Sequence, residues 1–128
     1  MGFECSYYLE PLETENLTER FLDAFAAILN HSNYAMVLEA ADRLSTKCAR
    51  CSASCPVYEA SGEKRDIPCD RTEKVLKIYR RYFTARGALG ARLSGGTDLT
   101  QQAINDLAED VYRCTACRRC KLECPLGV

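Results

Sequence analysis

Cys114-Thr115-Ala116-Cys117-Arg118-Arg119-Cys120-Lys121-Leu122-Glu123-Cys124-Pro125 spaces four cysteines and a proline as C-x2-C-x2-C-x3-C-P, without a mismatch. Three thiolates two residues apart can wrap a tight turn around one face of an Fe4S4 cube. The fourth, after a longer step, is available to a second cube. Pro125 turns the chain away and removes a backbone N–H that would otherwise need a partner. Zinc is the rival occupant, as the structural ion of an interaction module without a redox role. Zinc sites use two C-x2-C knuckles separated by a longer loop, and have no use for a third cysteine in the same register followed by Cys-Pro. Colour separates the two, brown for iron–sulfur and colourless for zinc.

Upstream, Cys48-Ala49-Arg50-Cys51-Ser52-Ala53-Ser54-Cys55-Pro56 matches the last three cysteine positions of the same signature. The first position falls on Ser45, a far weaker ligand for iron than a thiolate. Cys69 is the preferred donor to complete this site, because it lies in a loop directly after Pro68, where the chain can fold back over a cluster. Cys5 is the alternative, in a terminal arm that the pair Tyr7-Tyr8 could pin. A three-iron cluster or a Ser45-ligated one also stays open.

Working outward from the two motifs, apolar residues recur at helical spacing. Leu17, Phe21, Leu22, Phe25, Ile28 and Leu29 predict one helix, and Met36, Val37, Ala40, Ala41 and Leu44 a second, with a polar break at Asn30-His31-Ser32-Asn33. His31, the one histidine, falls in that break, outside both motifs, and is expected at the surface. Residues 52–71 read as a loop. A third helix is expected from Asp70, which stands three residues before Glu73 as in a capping box, until Gly87. Residues 87–96 hold four glycines and form either a flexible hinge or a close helix packing. A fourth helix, about 98–113, carries Leu99, Ala103, Ile104, Leu107, Ala108 and Val111 as its stripe. No segment alternates as a strand does, so the fold class is all-α. The chain reads as a single iron–sulfur domain, 1–128, organised as N-terminal helices 1–44, first cysteine motif and loop 45–71, connecting helices 72–113 and second motif 114–128.

Composition narrows the function. Seventeen basic and eighteen acidic residues give a net charge of −1, which offers no bulk attraction to nucleic acid or anionic lipid. No apolar run approaches the roughly 18 residues of a membrane span. Nine cysteines, an odd number, and no apolar signal stretch in Met1–Glu10 argue for a reducing, cytoplasmic setting rather than secretion. Charge is segregated: residues 1–30 carry six acidic residues against Arg20, and residues 71–92 carry seven basic residues against Glu73. The basic segment is either a solvated helix face or a docking surface for an acidic partner. No nucleophile–base pair, phosphate loop or HExxH-like run appears, so the chain shows no catalytic site of its own.

The two motifs, with CPVY at Cys55–Tyr58 and CPLGV at Cys124–Val128, joined by a helical stretch, resemble the α-helical ferredoxin domain. That domain occurs in an iron–sulfur component of heterodisulfide reductase, in the iron–sulfur subunits of glycolate oxidase and anaerobic glycerol-3-phosphate dehydrogenase, and more distantly in succinate dehydrogenase iron–sulfur subunits. The resemblance covers roughly Met36 to Val128 and departs at Ser45. It implies two [4Fe-4S] clusters with exchanged fourth ligands. Cys114, Cys117 and Cys120 with Cys55 would hold one, and Cys48, Cys51 and Cys124 with a fourth ligand, here Cys69, the other. It implies single-electron relay in an anaerobic oxidoreductase complex, with redox subunits as partners and membrane association only through them. The end of the chain four residues after Cys124, with no closing helix, raises the expectation of the N-terminal part of a longer protein. Arg50, Arg113, Arg118, Arg119 and Lys121 lie beside the motifs, where positive charge stabilises a reduced cluster or guides docking.

Overall fold

The computed structural model describes residues 15–44 and 47–125. Those residues form helices and turns, with no strand among them. The apolar stripes of the first segment become a helical hairpin, α1 (Leu17–His31) and α2 (Tyr34–Leu44), broken at Ser32-Asn33. His31 ends α1 and is exposed. The hairpin docks through aromatic rings. Phe21 and Phe25 stack at 5.9 Å, and Phe25 meets Phe83 edge-on at 5.1 Å. Such pairs add about 0.5–1.5 kcal/mol each to the area they bury.

The expected loop at 52–71 is largely helical. A 3-10 turn (Arg50–Ser54) runs into α3 (Pro56–Ser61), and a second 3-10 turn (Lys64–Asp66) leads into α4 (Pro68–Tyr82). The prolines explain both helix starts, since each occupies the first helical position, where no N–H is needed. α4 therefore begins at Pro68, and Asp70 lies in its first turn instead of capping it. Gly62, at φ +67°, closes α3, with its N–H donating to the Tyr58 carbonyl.

The glycine-rich stretch after α4 is packed. It forms a 3-10 turn (Ala85–Leu89) and the short α5 (Ala91–Ser94), both lying against α4. A Cβ on Gly87 would stand 2.0 Å from the Arg81 carbonyl oxygen, and one on Gly96 2.7 Å from the Lys77 carbonyl. Arg81 fastens the stretch by donating to the Gly87 carbonyl at 2.7 Å and to Asp98 at 2.6 Å. Thr100, whose hydroxyl accepts from the Ala103 N–H, then caps α6 (Gln101–Tyr112). The last helix is α7 (Arg119–Glu123).

The core sits where α4 meets α2 and α6. Among the described residues its buried apolar side chains are Ala41, Leu76, Ile78, Ile104 and Leu107, with Cys55 beside the first motif. Met36, Val37 and Leu44 lie on the outside of α2, so only Ala41 of that stripe is buried. Gly87→Ala should destabilise the protein by about 1–3 kcal/mol, the usual cost of overpacking. The check is a lower urea midpoint at an unchanged slope.

Candidate metal centre

The two cysteine motifs fold alike. Lys47 (φ 51°) and Ala49 (φ 56°) bracket Cys48, and Ala116 (φ 53°) and Arg118 (φ 61°) bracket Cys117. Four of the five non-glycine residues at positive φ among the described residues thus lie in these loops. Each loop then enters a five-residue helical turn, Arg50–Ser54 or Arg119–Glu123, and ends on an extended cysteine followed by proline. Cys55 stands at φ −88°, ψ 110°, and Cys124 at φ −76°, ψ 117°. Cys48, Cys51 and Cys55 are therefore the backbone equivalents of Cys117, Cys120 and Cys124, which leaves Cys114 matched by Ser45. Ser45 and Cys5 lie outside the described residues.

Left-handed residues alternating with right-handed ones aim successive N–H groups into one concavity, an arrangement suited to anions and iron–sulfur clusters. The donors show it: the Ala116 N–H points at Cys114 Sγ, 3.4 Å away. The Arg119 N–H is the main cause that lowers the Cys117 thiol below its ordinary value, with the Thr115 hydroxyl adding to it.

α7 packs directly on the Arg50–Ser54 turn, so the two loops face each other. Pro56, next to Cys55, and Arg113 and Thr115, on either side of Cys114, line one shallow groove of about 410 Å³. Cys69, in the first turn of α4, reaches the first loop. Burial pushes the Cys51 thiol up to about 11, and Cys69 touches that sulfur through both its backbone N–H and its thiol. Cys48, Cys114 and Cys117 are exposed, Cys55 is buried, and Cys51, Cys69, Cys120 and Cys124 lie between. No three His, Cys, Asp or Glu side chains among the described residues close on a single metal ion. A cubane asks instead for thiolates spread around its four irons. Eight cysteines on two facing loops and the start of α4, with amides aimed at sulfur, fit that demand.

Ion pairs hold the entrances of both motifs. Lys47, before Cys48, donates to Glu73 of α4 at 2.8 Å, and Glu73 also takes two bonds from Arg80 at 2.8 and 3.2 Å. Burial pushes the Glu73 carboxyl up, but these cations outweigh it and hold it below its ordinary value. Arg113, before Cys114, forks onto Asp66 with Nε 2.8 Å from Oδ1 and Nη2 2.6 Å from Oδ2. That bond, helped by Ser61 and Arg71, keeps the Asp66 carboxyl well below the usual carboxylate range despite its complete burial. Asp110, also buried, is bonded by Lys74 and lies 3.1 Å from Arg65. None of these pairs is visible as a motif, because the partners lie far apart in the chain.

Residues 46–128 match the family described as the 4Fe-4S dicluster domain. The chain belongs to that family. It is an electron-transfer module that carries two [4Fe-4S] clusters. Across 115 residues the dicluster protein is 30% identical to the Hdr-like menaquinol oxidoreductase iron-sulfur subunit 2 of Archaeoglobus fulgidus, an alignment covering 89% of this chain and 20% of that one. Across 83 residues it is 34% identical to a subunit of the dihydromethanophenazine:CoB--CoM heterodisulfide reductase of Methanosarcina acetivorans, 65% of this chain and 20% of that one. The glycolate oxidase iron-sulfur subunit of Escherichia coli is 28% identical over 86 residues, 67% of this chain and 16% of that protein. The dicluster chain thus spans about a fifth of the length of the first two relatives. No solved structure matches it.

The left-handed residues of the loops set a test. Ala49→Val puts a β-branched side chain where φ is 56°, at a cost of at least about 1–2 kcal/mol, and should lower the iron content of the purified protein. Ala49→Gly, free of that strain, should keep the full content. Anaerobic iron and sulfide analysis of the two variants checks it.

Proposed function

We propose that the domain relays single electrons between a donor and an acceptor subunit of an oxidoreductase complex, through two cubanes with exchanged ligands. One cluster takes Cys114, Cys117, Cys120 and Cys55. The other takes Cys48, Cys51, Cys124 and Cys69. The packing of α7 on the Arg50–Ser54 turn carries this reading, because it sets each motif's terminal cysteine beside the other motif's loop. The groove shared by Pro56 and the neighbours of Cys114 supports the first ligand set, and the Cys51–Cys69 contact the second.

The clusters supply one-electron carriers when bound. The chain's own residues bind them, orient the loops and set the local field. Arg50, Arg118, Arg119 and Lys121 make no ion pair among the described residues, so their charge is left to favour the reduced clusters and an approaching partner. The partner class follows from the relatives, whose names place them in menaquinol, heterodisulfide and glycolate redox systems. No helix among the described residues is long and apolar enough to cross a membrane. Cytoplasmic placement, with membrane association through partner subunits, completes the proposal.

Anaerobically purified protein should hold about eight irons and eight sulfides per chain. Cys69→Ala should cost one cluster or convert it to a three-iron form with a resonance signal when oxidised, whereas Cys5→Ala should leave both clusters intact. The reverse pattern would assign the fourth ligand to Cys5, and two unchanged variants would turn the first site over to Ser45 or three irons. Removing the clusters with a chelator should melt most of the helical circular dichroism, since the ligands join distant parts of the chain. An apo protein with a full cooperative transition would remove the main support for ligand exchange.

A further inference from the structure

Asp66 touches both halves of one proposed donor set. It has no exposed surface, and its carboxylate takes the Arg113 fork, a bond from Arg71 Nη2 at 3.1 Å and a bond from the Ser61 hydroxyl at 2.6 Å. Its backbone carbonyl stands 3.7 Å from Cys55 Sγ, which donates to it as a thiol. Arg113 is joined covalently to Cys114. One residue thus meets Cys55 through its main chain and holds the neighbour of Cys114 through its side chain, though the two cysteines lie on different motifs.

We infer that Asp66 is a positioning residue for the cluster of Cys55, Cys114, Cys117 and Cys120, and that the Asp66–Arg113 pair sets the reduction potential of that cluster selectively. The inference rests on the exchanged-ligand reading. Reduction adds a negative charge to the cluster, so a nearby cation raises the potential and a nearby carboxylate lowers it. Asp66 offsets the charge of Arg113 and Arg71 while holding the Arg113 side chain away from free solvent. Burial strengthens the effect, because interactions between charges are screened far less inside the protein than at its surface. Cys55 must lose its proton and turn from the Asp66 carbonyl to take iron, so the backbone at Asp66 also defines the starting geometry of that ligand.

The experiment is a redox titration of the holo protein, following both clusters by paramagnetic resonance, in Asp66→Asn, Arg113→Gln and the double variant. Asp66→Asn keeps shape and removes a negative charge, so one midpoint should rise. Arg113→Gln removes a positive charge, so the same midpoint should fall, and the double variant should return toward the parent value. The other cluster should hold its midpoint throughout. Loosened packing alone would not reverse sign between the two variants. Shifts of one sign, equal shifts of both clusters, or no shift would overturn the inference. If Asp66→Asn does not load with iron, Arg113→Gln alone decides: a fall confined to one midpoint supports the inference, and a rise or no change overturns it. Cys55→Ala and Cys114→Ala test the underlying reading separately, since they should perturb the same cluster. If they perturb different clusters, ligand exchange fails, whatever the sign of the charge effects.

Discussion

A carboxylate with no access to water is tolerable only when cations and donors close around it, and Asp66 meets that condition through Arg113, Arg71 and Ser61. The partners come from α3, α4 and the end of α6, so the pair fastens the connecting segment to the residue before Cys114. Removing one partner of a buried ion pair costs about 3–5 kcal/mol, against a total stability of about 5–15 kcal/mol for a small domain. In a protein with so few buried apolar side chains, that interaction decides where the second motif sits.

Charge elsewhere is spent in the same way. The basic run 71–92 admitted two readings from sequence, a solvated face or a docking surface. Arg71 bonds Asp66, Lys74 bonds Asp110, Arg80 bonds Asp42 and Glu73, and Arg81 bonds Asp98. Four of the seven cations therefore hold the fold together, and the docking reading loses its main members. The acidic partners sit on other elements, which is why a count along the chain reported an excess that the folded protein cancels.

The metal centre draws on the same economy of core. Apolar burial is limited to a few side chains where α2, α4 and α6 meet, and the outer stripe of α2 stays exposed. Helical periodicity reports that one face is apolar, but it does not report how much of that face a neighbour covers. Iron–thiolate bonds between distant loops supply the cross-links that such a core lacks, and binding energy of that kind is folding energy.

Motif spacing, helical period and proline placement were legible in the sequence because each is a local property. They were enough for the all-α class, the two-cubane centre, the hairpin at 17–44 and the α6 helix. Tertiary structure alone decided that Gly87 and Gly96 pack against α4 instead of hinging, since a close approach depends on what lies opposite. It also brought Cys69 onto Cys51, made the loops around Cys48 and Cys117 backbone copies with non-glycine residues at positive φ, and buried Asp66 under Arg113. Each of these is a relation between residues far apart in the chain, and only packing, which fixes distances, can choose among the partners that a sequence leaves available.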